Sequence, residues 1–526
     1  NTGTWEAQDI RPGDPQGHIA GRRNWETWGK PGASQVLGNA MHPANWDSPI
    51  VVSPHDTGTI YVGMQHLFRS RDRGMTWTDL GDLTTGVDRA TLPLMGRLPS
   101  ENTLSIDDGV PYFPGIVSLA ESPRRKGLLY AGSDDGRFSV SRNGGATWIS
   151  VQSNFPGLPA GSWFAGVEPS RHADGTAYVT VDNHRSNDFR NYVYMTTDFG
   201  ASWTSISGDL PAERVARTVR EDPRNPNLLY LATEFGVFVS PNRGTNWVAM
   251  RNNMPTMPFN DIAIHPRDNA LVLASHARGI WILDQLNALQ EWTTPVMAKA
   301  SHLFTLQPAT QIRTTNLRPH TGDMIFRGEN PANGALVDFW AGQGGMTASI
   351  TVLDSTGAIV QTLKPSTARG INRAVWNLRY ADLPLRGGGG EDDEGPARAG
   401  SPGPLVLPGT YTLRLEAGGV TSTQKLLVRE DPRITISSAD RRAWTAFQRQ
   451  VAALATEFAP VADRARRAPA TNAQTVDLKR QAQELLARIS TLYGATARWT
   501  GRPTADQRSQ LMYYQQMAKT LSSASF

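Results

Sequence analysis

The chain of 526 residues contains no cysteine, which excludes disulfides, thiolate metal sites and cysteine nucleophiles while leaving the compartment open. Lysine is almost as scarce, seven of the 52 basic residues, and the rest are arginine. These arginines are interleaved with 48 acidic residues and form no basic stripe or arm, so no nucleic-acid partner is expected from the formal charge of +4. No apolar run approaches the roughly 18 residues of a membrane span, and none is expected. The opening residues NTGTWEAQDI lack the basic-then-apolar pattern of a signal peptide, as a processed chain also would. The spacings H-E-x-x-H, D-x-[DN]-x-[DN]-G, G-x-S-x-G, the P-loop and the dinucleotide fingerprint are all missing.

What the chain does have is aromatic and turn-rich. With 39% hydrophobic residues, 15 Trp, 16 Phe and 12 Tyr it is a folded protein, and its length predicts two to four domains. Its 49 Gly and 35 Pro predict many turns and hence a mainly β fold. One cassette recurs four times: SRDRGMTW (70–77), SRNGGATW (141–148), TTDFGASW (196–203) and SPNRGTNW (240–247). It reads as a β-hairpin. The Asp or Asn bonds backbone N–H groups across the turn, the Gly permits positive φ, and the Trp packs back on the sheet.

Around the cassettes runs a rhythm of short strands of β-branched and aromatic residues. Five such units occupy 50–295, the fifth without a cassette. A cassette at the same place in successive units favours a β-propeller over a sandwich. Residues 1–49, rich in Trp, are expected to form part of a blade, and five units are too few for comfort. An upstream propeller half or a partner chain is therefore expected to complete the ring. Long excursions at 81–115 and 181–192 interrupt the rhythm and are expected to be functional or docking elements.

Strand patterns over 300–432, with a DSTG hairpin turn at 354–357, predict a β-sandwich. Its Gly- and acid-rich loop 386–404 is expected to be disordered. From 437 to 526 the period becomes helical. Trp444, Phe447, Val451, Leu454 and Phe458 form one stripe. Leu478, Ala482, Leu485, Ile489 and Leu492 form a second, with Gly494 as the expected stop. A Thr504/Gln507 capping box opens the third of three expected antiparallel helices.

The cassettes resemble the Asp-box, or BNR repeat, of sialidases, xyloglucanase-type glycosidases and sortilin-type receptors. The whole chain is similar to bacterial secreted proteins labelled "glycosyl hydrolase, BNR repeat", in which a propeller precedes an Ig-like module and a helical tail. The resemblance implies an Asp-box propeller, incomplete in this chain, then an Ig-like sandwich and a three-helix segment. It also implies an exported location, extracellular, periplasmic or at the cell surface. Its structural residues map to Asp72, Trp77, Asn143, Trp148, Asp198, Trp203, Asn242 and Trp247. Asn143 and Asn242 stand where the pattern has Asp, and Asn246 where it has Thr. A turn role survives those changes; a charge-dependent role for the cassette does not.

A second set of polar residues sits where the middle strands of successive units end. It comprises Gln65 and His66, Asp134 and Asp135, Asp182 and His184, Glu234, and His276 with Arg278. Equivalent places in each unit point to one end of the ring, the default position for a binding site. Asp134, Asp135, Asp182 and Glu234 are the candidate acids for glycosidase chemistry, which needs two carboxylates about 5–9.5 Å apart. No metal site is expected, although SIDDG, SDDG and EDDEG are Ca²⁺-compatible stretches. The expectation is a noncatalytic propeller that binds a polypeptide or polysaccharide, the alternative a glycoside hydrolase with paired carboxylates on the same face.

Overall fold

The computed structural model describes residues 12, 44–93, 96–100, 102–103, 113–251, 253–313, 330–385, 401–469, 472–498 and 501–525. Most of segment 1–49, the SIDDG stretch, EDDEG and most of loop 386–404 lie outside the described residues. Two compact units are present, Asn1–Gln290 and Glu291–Phe526.

The first unit is a series of antiparallel meanders. Strands β1 (Ile50–Val52), β2 (Ile60–Gly63), β3 (His66–Ser70) and β4 (Thr78–Asp82) form the first sheet. β5 (Ile116–Glu121), β6 (Leu129–Ser133), β7 (Phe138–Ser141) and β8 (Ile149–Ser150) form the second, and β9 (Trp163–Pro169), β10 (Ala177–Asp182), β11 (Tyr192–Thr196) and β12 (Thr204–Ser205) the third. The fourth holds β13 (Ala216–Glu221), β14 (Leu229–Thr233), β15 (Gly236–Ser240) and β16 (Val248–Met250). The fifth holds three described strands, β17 (Phe259–His265), β18 (Ala270–Ser275) and β19 (Ile280–Leu283). In every sheet the strands lie in chain order, and the first strands of successive sheets are neighbours. The arrangement is mainly β and propeller-like.

Sheets are held to one another by the apolar faces that alternation creates. Tyr61 and Leu67 of the first sheet meet Ile116, Leu119 and Leu129 of the second. Tyr130, Phe138 and Val140 meet Phe164, Val179 and Tyr194 of the third, where Phe155 stacks on Trp203 with centroids 4.4 Å apart. Tyr178 and Val193 meet Val219, Leu231 and Phe238 of the fourth. Polar stitches sit at the turns after the first strands. His55 Nε2 donates to the Ser122 carbonyl at 2.8 Å, and His172 Nε2 does the same to Asp222.

Each cassette is the hairpin between the third and fourth strands of sheets one to four. In the first, Ser70 Oγ accepts from the Gly74 N–H (2.7 Å) and donates to Asp72 Oδ1 (2.7 Å). Asp72 in turn accepts from the Thr76 N–H (2.8 Å) and hydroxyl (2.6 Å). Asn143 and Asn242 keep the backbone bonds, accepting from the Thr147 and Asn246 N–H groups at 3.0 and 2.9 Å. Two consecutive residues adopt positive φ: Arg73, Phe199 and Arg243 precede Gly74, Gly200 and Gly244, and the second cassette uses Gly144 and Gly145. Trp203 and Trp247 are buried, and Trp77 and Trp148 half-buried against the sheet cores.

The second unit begins with helix α2 (Thr294–Met297); α1 (Asn287–Gln290) ends the first. Two sheets then enclose one core. β20 (Ser301–Leu303), β22 (Ala335–Ala341) and β25 (Gly370–Trp376) make one. The other has the order β21-β27-β26-β23-β24, from Ala309–Gln311, Val420–Glu430, Gly409–Ala417, Ala348–Leu353 and Ile359–Leu363. Phe339, Ile350, Trp376, Leu413 and Leu426 lie between them. Helices α3 (Ser438–Arg467), α4 (Ala473–Arg498) and α5 (Ala505–Ser522) share a second core around Val451, Phe458, Leu485 and Ile489. Thr504 and Gln507 cap α5 reciprocally.

Gly494 does not stop α4, which runs on to Arg498. Packing accounts for this. Trp444 Nε1 donates to the Thr496 carbonyl at 2.9 Å inside the protein, and Tyr493 donates to the Pro402 carbonyl. These fixed points on either side of Gly494 outweigh the roughly 1 kcal/mol that a helical glycine costs.

Candidate active site

The middle-strand turns are pinned alike. The N–H of Asp134, Glu234 and His276 each donates at 3.0 Å to the carbonyl just ahead of its own sheet's first strand, on Gly115, Val215 and Pro258. These residues are therefore equivalent in their sheets. Their side chains nevertheless go different ways.

In the first sheet Gln65 donates to Asp82 at 2.8 Å and His66 pairs with Asp79 at 2.9 Å, both within their own sheet. In the second, Asp134 is buried and accepts from Asn45 Nδ2 and the Gly115 N–H, each at 2.8 Å. Burial, only partly offset by those bonds, pushes its carboxyl up to about 7. Asp135 is buried too, held by Ser133, Thr85 and the Thr85 N–H. Both SDDG carboxylates are thus occupied by hydrogen bonds, mostly from residues distant in the chain. In the fifth sheet His276 and Arg278 lie on an exposed tip. The structure does not show His66, His276 and Arg278 joining one binding face. Local partners claim the first, and the tight β18–β19 turn carries the other two outward.

Asp182 and Glu234 do converge. Arg217, the second residue of β13, donates from Nη1 to Asp182 Oδ2 at 2.5 Å and from Nη2 to Glu234 Oε2 at 2.6 Å. Nε adds a second bond to Glu234 at 3.1 Å. Arg217 sits at a register shift between Ala216 and Thr218, a bulge that recurs at Val117 and Asn260 in the second and fifth sheets. Bulges re-aim side chains at sheet ends. Thr180 Oγ1 donates to the Arg217 carbonyl at 2.9 Å, fastening the third sheet to the fourth beneath the cluster.

His184 completes the group, its Nδ1 2.6 Å from Asp182 Oδ1 and its N–H 3.0 Å from the same oxygen. Asp182 is 1% exposed. Its burial opposes charge, but the hydrogen bond from His184 and the Arg217 guanidinium outweigh that and hold the carboxyl below its ordinary range. Glu234, at 30% exposure, is the carboxylate that faces solvent. The Arg185 guanidinium carbon lies over Trp163 at 4.2 Å from the ring centroid, with Asp182 and Asp47 in electrostatic reach. The loop that carries these residues is itself tied down: Asp188 takes both Arg190 and Tyr192, and Asn191 bonds the Pro211 carbonyl and the Arg214 N–H.

Sequence reasoning found Asp182, His184 and Glu234 but not Arg217, Arg185 or Asp47. A signal for Arg217 exists in the first strands, where its charge replaces the Val117 of an otherwise parallel pattern.

A known relative is an enzyme. The chain is 26% identical over 249 residues to a xyloglucanase from Paenibacillus sp, a match covering 42% of this chain. The chain spans 22% of that relative's length. No family model matches. Among solved structures, a GH74 enzyme of Niastella koreensis gives 14% identity and a TM-score of 0.32, over 76% of this chain and 55% of that one. The GH74 xyloglucanase of Xanthomonas campestris gives 11% and 0.34, over 73% and 55%. TM-scores this low decide nothing about the chain. The xyloglucanase match corrects the noncatalytic reading in favour of the glycoside hydrolase alternative. The physical reason for the error is that Asp182 and Glu234 meet through Arg217, which a strand bulge places between two sheets. No described helix is long and apolar enough to cross a membrane.

Proposed function

We propose that this chain supplies part of an exported glycoside hydrolase acting on a β-glucan of the xyloglucan class. The observation that carries it is the meeting of Asp182 and Glu234 on Arg217 at the shared end of two sheets. The five meanders are blades of an Asp-box propeller, the cassettes its blade staples, and the second unit an Ig-like spacer with a helical docking tail.

Glu234, the exposed carboxylate, takes a proton from a water whose oxygen bonds to the anomeric carbon, while the protonated form of Asp47 gives its proton to the glycosidic oxygen as that C–O bond breaks. Asp182, buried beneath, positions Arg217 and His184 and keeps an ionised partner fixed under the site. Asp47 offers a second exposed carboxylate at this end. Arg185 on Trp163 gives a flat, polar-edged surface for a sugar ring.

The test is incubation of the chain with xyloglucan and a panel of other polysaccharides, scoring reducing ends released. Glu234→Gln is expected to cut release by a factor of about 10²–10⁴, the usual worth of a general base, with circular dichroism unchanged. Undiminished hydrolysis in Glu234→Gln, or none by the parent chain on any glycan, removes this reading.

A further inference from the structure

One position repeats through the first unit. The residue three ahead of each cassette is Leu67, Phe138, Val193 or Val237, and all four are buried. The first three sit in the cores formed with the following sheet. In the fourth sheet Val237 and Val239 are covered in the same way, with β17 packed on β13 and β14 and Arg220 bonded to the Ile262 carbonyl at 3.0 Å. This fold therefore covers that face of a sheet, four times over, with the first-strand side of another sheet.

The fifth sheet repeats the pattern without such a cover among the described residues. Ile280 follows Gly279 as Val237 follows Gly236 and pairs with Ala274 as Val237 pairs with Ala232. Ile282 corresponds to Val239. Yet Ile280 is 71% and Ile282 62% exposed. The residues beside the isoleucines on this face are Val272 and Ala274, with Asp261 and His265 farther out on β17. Contiguous apolar surface of this kind marks an interaction site. The complementary surface is in part exposed too: Val62 and Phe68 are buried there with Ala44 packed on them, but the first strand beside them is not. On the first-strand side of the first sheet Ile50 is 73% exposed and Val52 more than half, paired with Val62 and Ile60.

We infer that the open face of the fifth sheet docks the first-strand side of the first sheet of a second copy of this chain. The contact is heterologous, a second-face-to-first-face contact of the kind repeated inside the molecule, so each copy uses one patch as donor and the other as acceptor. It does not depend on hydrolysis.

Sedimentation velocity over a wide concentration range is expected to show the chain associating, and Ile280→Lys/Ile282→Lys to abolish the associated species with the melting temperature retained. Because the chain has no cysteine, single thiols report the geometry. A mixture of Ile282→Cys and Val52→Cys chains is expected to cross-link with a short bismaleimide, whereas Ile282→Cys alone does not. A monomer at all concentrations, association indifferent to the lysines, or cross-linking of Ile282→Cys to itself overturns the inference. So does an intramolecular cross-link in the dilute Val52→Cys/Ile282→Cys chain, which would show the first sheet of the same copy in that place.

Discussion

Asp182 and Glu234, brought from different sheets, accept hydrogen bonds from the same guanidinium, one carboxylate buried and the other open to solvent. The pair is asymmetric by construction. The loop after β10 folds back through His184 to shelter Asp182, whereas the two-residue turn after β14 leaves Glu234 at the surface.

Arg217 is the residue whose loss this arrangement tolerates least. Without it Asp182 is a buried charge with only His184 to answer it. Arg217→Met is expected to destabilise the first unit by about 3 kcal/mol, the lower end of the cost of breaking a buried pair, because Arg217 and Glu234 keep some solvent. Adding Asp182→Asn to that variant is expected to recover much of the loss. Urea unfolding of the single and double variants checks both. Equal destabilisation by Arg217→Met with and without Asp182→Asn would show that the charge was not the issue.

Asp134 titrates in the opposite direction from Asp182. Its value of about 7 lies above the roughly 3.9 of an unfolded aspartate. Between those values the folded protein holds a proton that the unfolded chain releases, so stability falls as pH rises through that window and levels off above it. Melting temperatures are expected to decline between about pH 5 and 7, and Asp134→Asn to flatten that decline. An unchanged slope in Asp134→Asn would place its origin elsewhere.

The cassettes yield a contrast between two neighbouring residues. Ser70→Ala leaves the buried Gly74 N–H without its acceptor, at an expected cost of about 1–3 kcal/mol. Asp72→Asn is expected to leave the melting temperature nearly unchanged, because Asn143 and Asn242 already make the same backbone bonds. Comparing thermal melts of the two variants checks this, and a larger loss in Asp72→Asn than in Ser70→Ala would contradict it.

What the sequence made legible was local. The cassette repeats, the strand punctuation and the helical stripes through Val451 and Leu485 depend on residues a few positions apart, and the structure places them in hairpins, short strands and helices. The grouping of Asp182, His184 and Glu234 at one end followed from counting equivalent turns. Arg217 was legible only as an odd charge in a first strand, because its role comes from a bulge that turns one strand residue toward another sheet. His66 misled for the reverse reason: Asp79, the partner that claims it, belongs to its own hairpin. The exposure of Ile280 and Ile282 is not legible in a strand pattern, which does not say what covers a face.

Gly494 offers the cleanest check on how packing overrides a local signal. Its helix continues for another turn to Arg498, and a Cβ built at Gly494 meets nothing within 4 Å. Gly494→Ala therefore removes only the excess backbone freedom of glycine in the unfolded chain and adds no clash. The expected gain is about 1 kcal/mol, read as a higher midpoint for the helical segment in urea with an unchanged m-value. Loss of stability in Gly494→Ala would mean that the continuation past residue 494 relies on glycine itself rather than on the Trp444–Thr496 and Tyr493–Pro402 contacts that anchor it.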